Sequence, residues 1–517
     1  MSRAIFKNTS VVGLTTLLSR VTGLLRDMVY SQAFGAGTLM DAFLVAFKIP
    51  NFLRRLFAEG AFSQSFVPVI SEYKVRREQA AVRELVGDVT GTLGVVLFVV
   101  SLIGVVAAPL IILLFAPGFT QAEGKYELAV EMLRWTFPYI FFVSLTALFS
   151  GVLNSYGRFA VPAFTQVIMN LVMIFFALVV ATNASNPGVA LAIGVFVSGA
   201  AQLVFQLPTV ARLDLLSWPR WRPAAEGVRR IGKLMLPGIF GSSMAQVSLL
   251  LDTLIASFLV TGSIAWLYYA DRLMEFALGV FSIALATVIL PGLSAHHAKG
   301  DGERFSTTLD WALRLVVLIV VPASVGLLVL AGPITATIFG YGAFTDNDVR
   351  MTQYGLMAYS WGLIGFSLVK VLAPGYFARQ DTRTPVRVGL IALGINMGIN
   401  VAVVLPAHYA GFATPFVLLA TSTCISAAIN AALLWRGLRR DGVYRPLPGW
   451  GGLIWRVIAA NIVMAAALMA LATLFGDWLE ASAFTRMWQL ALCVIAGFGA
   501  YALALLALGL RPHSLRL

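Results

Sequence analysis

The 517-residue chain is 59% hydrophobic, only 12% charged, and carries a formal net charge of +13. A mean hydropathy of +0.86 excludes a soluble globular domain and indicates a polytopic membrane protein. The basic excess then has a topological explanation, so no nucleic-acid partner is expected. Cys424 and Cys493 each lie in an apolar run and indicate neither a disulfide framework nor a zinc site.

Each span needs ~20 apolar residues, and the charged and Gly/Pro-rich breaks divide the chain into about fourteen of them. The expected fold is an all-α membrane protein. The first span, roughly Thr9 to Phe34, follows a basic start and lacks a small-residue cleavage site, so it reads as uncleaved. It holds Arg20, Arg26 and Asp27. Arg20 and Asp27 are seven apart and share a helix face; Arg26 points elsewhere unless Gly23 bends the helix.

The second span organises the reading: DAFLVAFKIPNFLRRLFAEGAFSQSFVPVISEYK, Asp41 to Lys74. It carries Asp41, Lys48, Arg54, Arg55 and Glu59 among apolar residues at helical spacing. Pro50 removes a backbone donor and should kink or break the helix. Three basic side chains facing lipid would cost roughly 8–10 kcal/mol on insertion scales. One reading is a surface helix with a solvated face. The reading that accounts for more is a kinked membrane helix lining a polar cavity, its cations aimed at an anionic cargo. Arginine forks suit phosphate or pyrophosphate oxygens.

Further on, loops rich in Lys and Arg alternate with acidic or neutral ones. Arg76, Arg77 and Arg83 precede APGFTQAEGKYE, which sets Lys125 between Glu123 and Glu127. Arg220, Arg222, Arg229 and Arg230 fill a long connection, Asp346 and Asp348 follow, and Arg436, Arg439 and Arg440 return to the basic set. Basic short loops stay inside, which places both termini in the cytoplasm and requires an even number of spans.

A repeat is visible. Pro68 matches Pro291 and Pro162 matches Pro385, each 223 apart, while Pro109 and Phe115 match Pro333 and Phe339 at 224. Each unit holds an even number of spans, so the halves insert the same way up. The expected organisation is one six-helix lobe over residues 1–212, a second over 226–440, and two further helices over 450–517.

The second half has intramembrane charges of its own: Asp252, Asp271, Arg272, Glu275 and Lys370. Arg272 and Glu275 are three apart and positioned to pair. Asp252 is most simply a protonated or hydrogen-bonded residue. The alternative is a cation ligand, because Asn396 and Asn400 put two amide oxygens on one helix face, and hard cations take oxygen ligands. GVRRIGK, Gly227 to Lys233, has the spacing of a phosphate-binding loop, but Leu234 stands where a Ser or Thr is needed and no strand precedes it. Nothing suggests ATP hydrolysis; transport would draw on an ion gradient, the membrane potential or the substrate's own gradient.

Four stretches, SRVTGLLRD (Ser19–Asp27), Asp41 to Pro68 of the second span, YYADRLMEF (Tyr268–Phe276) and VLAPGYFARQDTRTP (Val371–Pro385), resemble the MurJ (MviN) family. These are bacterial lipid II flippases of the multidrug/oligosaccharidyl-lipid/polysaccharide exporter superfamily. The resemblance implies two six-helix lobes around a central cavity, a C-terminal helix pair that holds a polyprenyl tail, and alternating access in the inner membrane. It puts the cavity arginines at Arg20, Arg26, Arg54 and Arg272, with Asp27, Asp41 and Glu275 as acidic companions. Lipid II, membrane lipids and cell-wall synthesis proteins are the implied partners. Some members bind sodium in the second lobe, and Asp252, Asn396 and Asn400 are similar in type; no other cofactor is implied. The rivals are a drug or cation antiporter of the same superfamily and a membrane enzyme acting on polyprenyl phosphates. The clustered arginines disfavour the first, and the lack of a DDxxD-like run disfavours the second.

Overall fold

The computed structural model describes residues 3–55 and 62–510, and among them every regular element is helical. The chain forms two compact units, Met1–Ile264 and Ala265–Leu517. The first contains α1 (Arg3–Phe34), α2 (Thr38–Arg54), α3 (Ser63–Arg76), α4 (Gln79–Val106), α5 (Ala108–Phe115), α6 (Lys125–Thr136), α7 (Tyr139–Ser155), α8 (Ala160–Phe175), α9 (Pro187–Arg212) and α10 (Glu226–Ser257). From α11 (Ser263–Ala298) the second continues through α12 (Gly302–Val329), α13 (Ala331–Ile338), α14 (Asp346–Phe377), α15 (Arg383–Ile399), α16 (Leu405–Tyr409) and α17 (Pro415–Arg440). It ends with α18 (Trp450–Leu474) and α19 (Ala483–Ala507).

Among the described residues, ten helical segments are long and apolar enough to cross a membrane. The four further spans expected from the sequence fall on α1, on α2 with α3, on α10 and on α11. α1 and α10 have 32 residues and α11 has 36. At 1.5 Å per residue each exceeds the ~30 Å hydrocarbon core.

The repeat is written into the backbone. α4 and α12 are each 28 residues long, and each is followed after one residue by an eight-residue helix. α8 and α15 both run on into a five-residue π-helical stretch, Phe176–Val180 and Asn400–Val404, whose starts are 224 apart. Packing draws the unit boundary elsewhere. α10 would open the second repeat, yet it packs on α3, α4 and α5. Ile231 of α10 joins a buried cluster with Phe66, Ile70, Val82 and Val152. A Cβ on Gly227 would overlap Leu85, so the start of α10 approaches α4 closely.

Pro50 does not break α2, which continues past it to Arg54. A proline leaves the carbonyl four residues earlier without its helical donor. Here that carbonyl belongs to Ala46, and the buried Thr136 hydroxyl of α6 donates to it at 2.8 Å. The neighbouring helix replaces the missing bond, as a dry membrane interior requires.

Candidate functional site

In the first unit the charged residues of α1 and α2 fall into two groups. Arg26 and Asp27 are both buried, and Arg26 donates to Asp27 Oδ1 from Nε at 3.0 Å and from Nη2 at 2.7 Å. A third donor, Arg26 Nη1, reaches Asn170 Oδ1 on α8 at 3.2 Å. The amide nitrogen of Asn170 in turn donates to Ser19 O and Thr22 Oγ1, both at 3.1 Å. Asp27 therefore pairs with its chain neighbour and not with Arg20, because the long Arg26 side chain folds back along α1 where α8 packs against it. Arg20 is half-exposed and has no side-chain hydrogen bond or ion pair among the described residues.

On α2, Lys48, Arg54 and Arg55 are half-buried, and Arg54 Nε donates to Asn51 Oδ1 at 2.9 Å. Asp41 stands apart from them. It is 1% exposed, accepts from Lys125 Nζ at 2.8 Å, and accepts from the Gly262 backbone at 2.8 Å. Lys125, 3% exposed, also lies 4.5 Å from the Phe119 ring centroid. Both partners of this pair are desolvated, so removing either one would strand a buried charge. Lys125, expected in an open loop, is thus the first residue of α6 and is closed in. Glu59 lies outside the described residues.

In the second unit, Arg272 and Glu275 pair along α11 at 3.5 Å, as their spacing suggested. Both remain substantially open, so this bond leaves the guanidinium accessible. Asn396 and Asn400 are buried on α15 and its π-helical continuation, and a residue the sequence did not single out joins them. The Ser422 hydroxyl of α17 lies 2.9 Å from Asn396 Oδ1 and from Leu419 O, and makes a shorter contact with Asn400 Oδ1. One hydroxyl proton serves one of these three acceptors. Four oxygens converge there, the donor chemistry of a hard monovalent or divalent cation. No cluster of three His, Cys, Asp or Glu suited to a metal occurs among the described residues. Asp252, on α10, is half-buried and belongs to the first unit.

Near the second-half motif, the turn after α14 is held by Asp381, which accepts from the Thr384 backbone at 3.0 Å. The hydrogen bonds from the Thr384 side chain and backbone keep that carboxyl below the usual range. The residues missed by sequence reasoning, Asn170, Lys125, Thr136 and Ser422, share one signal. Each is a polar side chain at an apolar helix position or helix end, informative only once its partner helix is known.

A family profile described as "Lipid II flippase MurJ" matches residues 30–494. The chain belongs to this family. It is 45% identical to a probable lipid II flippase MurJ of Haemophilus influenzae over 513 residues, 97% of this chain and 99% of that one. It is 40% identical to the lipid II flippase MurJ of Burkholderia cenocepacia, with 93% of each chain covered. Among solved structures, a lipid II flippase MurJ in an inward closed conformation superposes with a TM-score of 0.78, covering 95% of this chain and 97% of that one. At 24% identity that likeness concerns the fold. An inward-facing multidrug transporter of the MATE family shares the architecture more distantly, at 13% identity and a TM-score of 0.65, with 82% of this chain and 95% of that one covered. Arg20 and Arg26 thus sit on α1, Arg54 on α2 and Arg272 on α11 of an all-α, multi-pass membrane protein.

Proposed function

We propose that this chain is a flippase for lipid II, the undecaprenyl-pyrophosphate-linked disaccharide peptide. It carries the lipid from the inner to the outer leaflet of the bacterial cytoplasmic membrane by alternating access, and it is a transporter, not an enzyme. The observation that carries the residue-level reading is Arg20. A guanidinium within a membrane helix, half-exposed and without a described countercharge, beside the buried Arg26–Asp27–Asn170 cluster, is poised for a diphosphate. Arg26, Lys48, Arg54, Arg55 and Arg272 complete the proposed set of substrate cations, with Asp27 and Glu275 setting their orientation. The C-terminal pair α18 and α19 displays Ile458, Ile462, Ile495 and Phe498 outward, an apolar surface suited to a polyprenyl tail.

The test is lipid II exposure in proteoliposomes. A charge-assisted contact contributes ~1.5–3 kcal/mol, so Arg20→Ala should weaken lipid II binding by roughly one to two orders of magnitude. Arg20→Lys keeps the charge and loses the fork, and should rescue poorly. Normal binding and flipping by well-inserted Arg20→Ala, Arg54→Ala and Arg272→Ala proteins would sink the receptor assignment.

The same proposal covers a cation and the topology. Asn396, Asn400 and Ser422 hold sodium, and Ser422→Ala should abolish sodium-dependent thermal stabilisation. Persistence of the sodium effect in that variant removes the site. Both termini lie in the cytoplasm, so impermeant maleimide should label Asp346→Cys and Asp477→Cys in intact spheroplasts and leave Arg230→Cys unlabelled.

A further inference from the structure

The segment joining α9 to α10, residues 213–225, is laid along the first half of α4. Gln79 donates its side-chain amide to Leu213 O at 3.0 Å, and Arg83 Nε donates to Leu216 O at 3.1 Å. Higher up, the Arg220 backbone donates to Gly87 O at 3.1 Å and the Arg222 backbone to Thr92 Oγ1 at 3.3 Å. The strap therefore climbs from Gln79 to Thr92, a rise of ~20 Å at 1.5 Å per residue. Gly87 and Gly91 form its shelf: a Cβ on Gly91 would overlap the Arg220 backbone, and one on Gly87 would crowd Ser217 and Trp218.

The direction of the strap's outer face follows from helix periodicity. Gly87 and Gly91 continue upward, at spacings of three and four, into Val95, Phe98, Leu102 and Val106. All four of those side chains are exposed, and they form the lipid-facing stripe of α4. The strap covers the lower end of that stripe, and the stripe's first open residue lies ~4.5 Å above Thr92. On the strap stand two open indoles, Trp218, 87% exposed and carried beside Gly87, and Trp221, 55% exposed, between the residues bonded to Gly87 and Thr92. Between and beside them stand Arg220 and Arg222, which share one carboxylate, Glu84, at 3.2 and 2.9 Å. Two guanidiniums on one carboxylate leave positive charge over, and both remain about half open.

We propose that residues 216–222 form a headgroup-docking surface, on which Trp218 and Trp221 insert at the cytoplasmic interface and Arg220 and Arg222 bind the phosphates of anionic phospholipids. Indole rings partition to that depth, and basic residues there attract anionic headgroups. The glycine shelf gives the surface its rigidity, since the backbone carrying the four side chains is fixed against a helix. The inference does not depend on the transported substrate, and its test contains no lipid II.

The test compares the full-length protein with a Trp218→Phe/Trp221→Phe variant in nanodiscs, reading the difference in tryptophan emission so that the other nine of the 11 tryptophans cancel. Brominated phosphatidylglycerol should quench the difference emission, and aqueous iodide should not. The excess of quenching over brominated phosphatidylcholine should reflect about fivefold local enrichment per arginine, the ratio that ~1 kcal/mol per basic residue gives. Arg220→Gln/Arg222→Gln should erase the preference between the two lipids and keep the shielding from iodide. Emission quenched by iodide and untouched by brominated lipid would overturn the proposal and leave the surface to a soluble partner. Equal quenching by the two lipids in the parent protein would overturn the headgroup assignment.

Discussion

Two loops, one in each unit, solve the same problem by different chemistry. Each follows the last span of its repeat and is fastened to the 28-residue helix of that repeat: the strap on α4, and residues 441–449 on α12. On α12 the fastening is a polar hub. Asp310, fully buried, accepts through Oδ1 from Tyr444 Oη at 2.8 Å, Trp450 Nε1 at 2.8 Å and the Leu447 backbone at 3.2 Å. Its Oδ2 accepts from Arg314 Nε at 2.6 Å, and Arg314 Nη2 donates onward to Leu447 O and Pro448 O. Burial, and next the bond to Asp310, push the Tyr444 phenol above its usual range. On α4 the near-equivalent acid is Asp88, 5% exposed, and its Oδ1 has no hydrogen-bond partner among the described residues. There the loop is held by glycine shape, backbone bonds and half-open ion pairs. A satisfied hub fixes a loop strongly; a shelf with an orphaned oxygen beneath it fixes one weakly, since an unpaired buried acceptor costs about 1–3 kcal/mol.

The largest effect expected from this contrast is at Asp310. Asp310→Ala strands Tyr444, Trp450, the Leu447 N–H and the Arg314 charge together, and should cost about 3–5 kcal/mol. Thermal unfolding in detergent measures it, and a loss below about 1 kcal/mol would mean the hub contributes no more than an ordinary surface contact. Next comes the shelf. Gly91→Ala places a methyl group against the Arg220 backbone and should cost about 1–3 kcal/mol by overpacking. It should also free the strap, read as faster tryptic cleavage at the Arg220–Trp221 bond. Gly94→Ala, whose Cβ would meet only Phe141 at 4.0 Å, is the matched control and should cleave at the parent rate.

Neither fastening was legible in the sequence, and the reason is physical. Hydropathy read the helices, because each obeys a local rule of one apolar run per span. The repeat was legible too, since its prolines recur at matching places in both halves: inside α3 and α11, and in the first turns of α5 and α13 and of α8 and α15. Arg272 with Glu275 could be paired from a spacing of three on one helix. The Arg26–Asp27–Asn170 cluster could not, because Asn170 is 144 residues from Arg26 and enters only when α8 docks on α1. The same holds for Pro50, whose effect depends on Thr136 from another helix, and for Asp41, whose partner Lys125 is 84 residues away. Asp88 and Asp310 look alike as single acids in apolar helices; only the loop that reaches each one tells them apart.

The smallest effect, and the sharpest comparison, is at Asp88. Asp88→Asn removes a charge whose Oδ1 accepts no bond, so no donor loses its partner. Arg220 and Arg222 keep Glu84, the carboxylate they contact directly. The change in stability should therefore stay within about 1 kcal/mol, of either sign. Asp310→Asn is the mirror experiment. Its amide oxygen still accepts at one side, but its NH₂ group must face either Arg314 or the Tyr444, Trp450 and Leu447 donors, and a donor set against donors loses the one bond on the first side or the three on the second. Asparagine should thus cost several times more on α12 than on α4, measured in one detergent at one pH. Equal costs at the two positions would mean that Asp88 Oδ1 is engaged as fully as Asp310, by water or by a bound headgroup, and that the two loops are fastened alike.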